Sequence, residues 1–414
     1  MQTKTMKETK AMKTKLNHQL VAAFGLLFTL NLQPSTLLAQ GSLTPPGAPA
    51  PTMKTLQQIE PRTPIATAPF TISQPGSYYL TTNLTVSGGN AITIATNGVT
   101  LDLNGFTIAS TAPSATGYGI LINSGLWDIT IQNGHIRGGV TNDGSGVFSG
   151  PGFWYGIYYS GSDLQNVRVS GVSVSGCQYD GIYVGDGAST TVENCVVGTV
   201  GSWGIVANTI RGCVALDCGS TAIYGQQVSD TRGQSVGSTG LYASTALNCY
   251  GSSGNSFGLY AQTAQNCYGS SSSYYGLYAE RTAIGCSGSS SSRDGLLATT
   301  ALNCYGYSSS SGYGLLATTA QNCYGYSGGG GYGLSTTTAQ NCYGSSTSGT
   351  GLYADRSAIG CSGYSSSGPR GLYALNANTC TGYRFGGRAI EATIANGCWA
   401  AAGTNLITYK YNMP

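Results

Sequence analysis

Catalysis needs reactive side chains within reach of one another, and this sequence supplies them sparingly. Its 414 residues include 15 Asp and Glu, 18 Lys and Arg, and two His. His135 is the only histidine beyond residue 39, so every Ser-His-Asp triad, Cys-His pair or His-based metal site would have to use it. The acids come nearest to clustering at Asp180 and Asp186, with Glu193 on the far side of the same stretch. Glycoside hydrolysis wants two carboxyl groups about 5 to 9.5 Å apart, whereas turn capping on a solvated edge accounts for Asp180 and Asp186 without any chemistry. Gly325-Tyr326-Ser327-Gly328-Gly329 has the letters of a nucleophile elbow, but it sits in a Ser/Gly connector and not at a strand-to-helix turn. No phosphate-cradling glycine loop with its lysine is present, nor a calcium-binding glycine-aspartate repeat. The residues assign no catalytic group, metal ligand or cofactor.

Cysteine and tyrosine are abundant and regularly spaced. The cysteines run Cys177, Cys195, Cys213, then Thr231 in the same slot, then Cys249, Cys267, Cys286, Cys304, Cys323, Cys342, Cys361, Cys380 and Cys398, in steps of 18 or 19 residues, with Cys218 off the file. This period belongs to the phrase TGLYASTALNCYG at 239–251, which returns with small edits from about Thr221 to Cys398. A fixed period of that length overrides local propensity and marks a repeat architecture. Within the phrase, Leu241 and Ala243 alternate with Tyr242, the pattern of a strand. Three residues before each cysteine the residue is apolar (Val174, Val192, Ile210, Ala246, Ala264), and the next one varies freely. The residue just before the cysteine is mostly Asn or Gly, as in Asn194, Gly212, Asn248 and Gly285, types that tolerate a left-handed bend and could return the cysteine to the inside.

These features predict an all-β chain, a parallel β-helix (solenoid) of about 14 coils with 18–19-residue repeats in its C-terminal half. At about 4.8 Å per coil the rod would be about 65 to 70 Å long. Asp180 and Asp294, which share a slot six coils apart, would then be roughly 29 Å from each other. Stacked cysteines would hold their Cβ atoms too far apart for a favourable disulfide, so a buried file of free thiols is expected.

The rest of the chain divides accordingly. Residues 1–39 carry Lys4, Lys7, Lys10, Lys13 and Lys15, an apolar run from Leu20 to Leu30 and a cleavage-like Leu37-Leu38-Ala39, which reads as a secretory signal peptide. A membrane anchor is the rival reading, but Asn31, Gln33 and Pro34 stop the run short of the roughly 20 apolar residues a span needs. Without this lead, 13 basic and 14 acidic residues remain, so the formal charge of +3 reflects export and argues against a nucleic-acid partner. Residues 40–66 form a Pro-rich leader, 67–220 an N-terminal cap with irregular coils, 221–400 the regular repeats and 401–414 a C-terminal cap or tail.

The phrases VTLDLNGFTI (99–108), DITIQNGHIRG (128–138) and DGIYVGDGASTTVENCVV (180–197) resemble right-handed parallel β-helix proteins of the pectate-lyase-like superfamily, particularly secreted bacterial members of unassigned function. The right hand of the helix is what this resemblance implies. It also implies that a polysaccharide lyase or hydrolase is the alternative function. The polygalacturonase pattern is broken, because Gly134-His135-Ile136 lacks the second Gly and no Asn-Thr-Asp or Asp-Asp pair occurs.

Aromatic stripes are the candidate binding surface. One file reads Tyr250, Tyr268, Ser287, Tyr305, Tyr324, Tyr343; another reads Tyr224, Tyr242, Tyr260, Tyr278, Leu297, Leu316, Ser335, Tyr353. They could be self-stacking ladders that stiffen the rod, or surfaces on which Tyr242, Tyr250, Tyr260, Tyr268, Tyr278, Tyr305, Tyr324 and Tyr343 stack against sugar rings or another surface protein. A lone threonine file, Thr245, Thr263, Thr282, Thr300, Thr319 and Thr338, raises ice binding, yet it lacks a parallel threonine row. The expectation is a secreted, non-catalytic scaffold, at the cell surface, outside the cell or in the periplasm, with no membrane span after cleavage.

Overall fold

A computed structural model describes residues 60–161 and 165–413; the expected signal peptide and most of the leader lie outside them. The described chain is a parallel β-helix repeat protein with about 18 turns and no helix. At about 4.8 Å per coil this stack is about 85 Å long. The expected 14 coils are thus too few. Counting cysteine anchors undercounts the N-terminal part, where the files are built from Ile, Val and Leu such as Leu80, Leu101 and Ile131. The first strand, Thr63–Ile65, already pairs in register with the next coil, and Trp399–Tyr411 extends the stack at the other end.

A regular coil has two strand segments, Leu241–Leu247 and Tyr250–Ser253. They generate three parallel sheets, which we call the leucine, alanine and glycine sheets after the residues that point inward. Leu241 pairs with Leu259, Ala246 with Ala264, and Gly251 with Gly269, and the same identities recur coil after coil. Leu241, Leu259 and Leu277 are fully buried in one file. Burying each contributes about 1.5 to 3 kcal/mol, and every coil depends on its neighbours for that burial. The corner between the alanine and glycine sheets is the left-handed bend expected from sequence, with φ of 53° at Asn194, 54° at Asn248, 62° at Gly212 and 61° at Gly285. The asparagines also bond along the rod, Asn266 Nδ2 donating to Asn248 Oδ1 at 3.3 Å and Asn322 to Asn303 at 3.1 Å.

The regular half is thin. A Cβ on Gly269 would lie 2.2 Å from the Gly276 carbonyl oxygen, so the glycine sheet rests directly on the start of the leucine sheet with no side chain between. A buried serine file closes the same corner. Ser271 Oγ donates to the Ser256 carbonyl at 2.6 Å and accepts the Tyr274 N–H at 2.9 Å; Ser346 repeats this with Gly331 and Gly349 at 2.6 and 2.9 Å. Each serine clips its own turn to the coil beneath.

Register corrects one file read from sequence. Cys177 pairs with Val200, Val200 with Cys218 and Cys218 with Ser235, so Cys177 and Cys218 head the serine file and Cys177 does not stack on Cys195. Val174 likewise pairs with Val197 in the third sheet. The cause is a long coil: Tyr183 is 23 residues from its partner Val206, whereas Val192 is 18 from Ile210, which places the extra residues between Tyr183 and Val192. The 18-residue spacing of Cys177 and Cys195 is a coincidence of that insertion.

All thirteen cysteines are buried and free. Burial pushes the Cys177 thiol up to about 12 and that of Cys218 up as well. In the main file each Sγ faces a carbonyl two residues back, as Cys249 does Leu247 at 3.1 Å. Thiols buried to this degree are out of a reagent's reach. At pH 8 the folded protein should therefore leave an aromatic disulfide reagent uncoloured, and the unfolded protein should titrate thirteen thiols; fewer than thirteen on unfolding would show disulfides instead.

Gly269→Ala must displace backbone and should cost about 1 to 3 kcal/mol or more in urea unfolding. Ser271→Ala leaves a part-buried N–H and a part-buried carbonyl without their partner and should cost about 1 to 3 kcal/mol. Ser272→Ala, on an exposed connector, should leave the midpoint unchanged.

Candidate functional site

The outward residue that follows each buried leucine builds an aromatic ladder on the leucine sheet. Tyr224 and Tyr242 stack at 5.1 Å with 12° between planes, and Tyr242 and Tyr260 at 4.6 Å with 9°. Where Val206 interrupts the file, Trp203 from the preceding turn inserts its ring between Tyr183 and Tyr224. A second ladder stands on the glycine sheet, with Tyr250 on Tyr268 at 5.2 Å, Tyr305 on Tyr324 at 5.2 Å and Tyr324 on Tyr343 at 5.1 Å. The eight tyrosines expected to bind thus fall on two different sheets. Their stacked partners cover much of the ring faces: Tyr305 and Tyr343 are exposed, at 41 and 37 %, and the other six are half-buried.

The first ladder breaks at three consecutive coils. Between Tyr278 and Tyr353 the file carries Leu297, Leu316 and Ser335. The outward row beside it runs Glu280, Thr299, Thr318, Thr337 and Asp355, and the two rows enclose an open trough of about 510 Å³. Tyr278 and Tyr353 are four coil steps apart, about 19 Å along the rod. The trough ends where two strands bulge: Leu277–Ile284 and Leu352–Ile359 each hold one extra residue between their two inward alanines, with register shifts beside Ala279 and Ala354. Bulges re-aim side chains, and here each presents a Tyr and a carboxylate at one end, Tyr278 with Glu280 and Tyr353 with Asp355.

Part of the trough's lining is held by hydrogen bonds within the fold. The Tyr260 hydroxyl donates to the Glu280 carboxylate. Thr299 Oγ1 donates to the Glu280 carbonyl at 2.6 Å, and the buried Thr336 hydroxyl reaches the Thr318 carbonyl at 2.9 Å. The aromatic ladder detours along one side through Tyr313, Tyr332 and Tyr353, stacked at 5.2 and 5.1 Å. Beneath that detour the Asp294 carboxylate accepts the Tyr313 N–H at 2.7 Å, and burial holds its pKa above the ordinary carboxylate value. Both signals for the trough, the missing tyrosines and the one-residue insertions, stand in the sequence. Their meeting in one place depends on which outward rows adjoin, which the residue string does not state.

The acidic candidates do not converge. Asp180 is buried, at 7 % exposure, and not on a solvated edge; it caps the next turn by accepting the Trp203 N–H at 3.0 Å, and burial raises its pKa. The turn-capping role stands, but the site is the packed seam between coils. Asp186 is exposed, and Glu193 pairs with Arg168 at 3.2 Å. Glu280 and Asp355, at opposite ends of the trough, are about 19 Å apart on the coil spacing, beyond the range in which two carboxyl groups flank one glycosidic bond. Among the described residues no group of three or more His, Cys, Asp or Glu is placed to hold a metal ion. The threonine file Thr245, Thr263, Thr282, Thr300 lies in register on the alanine sheet, but the row two residues on carries Leu247, Gln265, Ile284 and Leu302.

No protein-family model matches the chain, and no curated protein matches it. Among solved structures, the Dettilon tailspike protein is similar over 84 % of this chain and 60 % of its own length, with 14 % identity and a TM-score of 0.23. The chain therefore spans about 60 % of that structure.

Proposed function

We propose that this protein is a secreted, non-catalytic β-helix scaffold that holds a neutral polysaccharide strand in the trough between Tyr278 and Tyr353, at the cell surface or outside the cell. One observation carries the reading: the aromatic ladder gives way at three successive coils to a Leu-Leu-Ser floor, with a Tyr and a carboxylate at each end. Half-exposed Leu297 and Leu316 suit the C–H faces of sugar rings. Thr299, Thr318, Thr337, Glu280 and Asp355 offer hydroxyls and carboxylates to sugar hydroxyls. A sugar ring is close in length to the coil rise of about 4.8 Å, so a strand lying along the rod meets one coil per residue. The trough is open along its length, which suits a long chain passing through.

Export rests on the lysine-rich, then apolar, residues 1–39. Among the described residues no helix is long and apolar enough to cross a membrane. Binding without cleavage is favoured by the wide separation of the trough carboxylates and by the capping duty of Asp180.

A polysaccharide panel tests this. Leu316→Arg fills the middle of the floor and should weaken binding at least 10-fold with an unchanged melting temperature. The triple change Tyr250→Ser, Tyr268→Ser, Tyr305→Ser should leave binding intact while lowering stability. If the triple variant loses binding and L316R keeps it, the site is on the glycine sheet. New reducing ends or unsaturated products from the wild-type protein would overturn the non-catalytic part.

A further inference from the structure

Away from the trough, the outer face of the third sheet carries a second hollow in the N-terminal part of the rod, on a different sheet from the ladder of Tyr118, Tyr155 and Tyr158. It measures about 320 Å³ and is lined by Thr107, His135, Ile136, Arg137, Ser173 and Ser175. Register explains how five polar side chains meet there. Thr107 pairs with His135 and His135 with Ser173, while Arg137 pairs with Ser175. Three adjoining coils, about 10 Å in all, therefore present one column of Thr, His and Ser beside a second of Arg and Ser, two residues or about 7 Å away. Ile136 between the columns points inward and is buried, so the floor is backbone and the walls are donors.

The chemistry of the lining is one-sided. Arg137 offers a planar fork of N–H donors, His135 a ring N–H, and Thr107, Ser173 and Ser175 three hydroxyls that can turn to donate. No carboxylate lines the hollow. Among the described residues Arg137 has neither an ion pair nor a side-chain hydrogen bond, in contrast to Arg62, Arg168, Arg370 and Arg388, each of which pairs with an acid. Arg137 instead faces a hydroxyl-lined hollow.

We propose that this hollow binds a tetrahedral oxyanion, a sulfate or phosphate group borne as an ester on a larger molecule, with Arg137 as the charged anchor, His135 as second donor and the three hydroxyls completing the shell. It is independent of the trough, which lies on another sheet and carries acids at both ends.

The imidazole of His135 is a built-in reporter. In carbon-edited proton NMR of the full chain, with the His135 signal assigned by His135→Gln, inorganic phosphate and inorganic sulfate titrated at constant pH and ionic strength should each move that signal saturably and leave His18 unmoved. Arg137→Gln should weaken both isotherms at least 10-fold, and the pair Ser173→Ala, Ser175→Ala about 3-fold, with melting temperature as the folding control. Displacement by a sulfated glycan would assign a sulfate ester, and displacement by a phosphodiester polymer a phosphate ester. A signal that moves no more than with chloride, an R137Q isotherm equal to wild type, or simple ions that bind while neither polymer competes would overturn the proposal. None of these outcomes depends on polysaccharide binding in the trough.

Discussion

In-register stacking of successive backbones is the constraint from which the rest of this molecule follows. Parallel strands about 4.8 Å apart place each side chain directly over its equivalent in the coil before, so a position is chosen for a file and not for a single site. Leucine can fill an inward file because Leu241, Leu259 and Leu277 cover one another, and no coil could bury its own leucine alone. The same geometry brings the asparagines of the left-handed corner into a hydrogen-bonded row and the tyrosines of the outer face into stacked ladders.

Thinness sharpens this constraint in the regular half. With glycine backbone resting on glycine backbone, the core there is filled by Leu, Ala, Cys and small hydroxyl residues, mostly Ser. The buried serines do the work that larger apolar residues do nearer the N-terminus, where Val200 and Cys177 occupy the same file. An apolar side chain fills space, whereas each serine fixes the turn by holding a carbonyl and an N–H that the tight corner leaves unpaired. Cysteine fits the adjoining file as a small, buried, unpaired apolar group.

The outer surface of such a rod changes shape where a file is interrupted. The ladder repairs the gap at Val206 with Trp203, but across Leu297, Leu316 and Ser335 it shifts sideways to Tyr313 and Tyr332 and leaves the floor open. After Thr239, the two bulged coils at its ends carry the only residues inserted between the leucine and alanine files, Arg281 and Arg356 being absorbed without disturbing the inward files. Extra residues are tolerated at the bend between the leucine and alanine sheets because that bend faces outward, and this is where the trough's acids are placed.

Much of the fold was legible in the residue string. A period of 18 or 19, the Leu-x-Ala alternation and the Asn or Gly before each cysteine identify strand faces, corner and inward files, because in a stack the local pattern and the long-range contact are the same repeat seen twice. Where the period lapses, that equivalence fails: the insertion between Tyr183 and Val192 let Cys177 pass for a member of the wrong file, and coils without a cysteine went uncounted. The sequence by itself determined which residues recur and hence which point inward. Only the tertiary structure decided which outward rows lie side by side, since the trough and the oxyanion hollow each join residues from several coils whose lateral neighbours are set by register and bend and not by order along the chain.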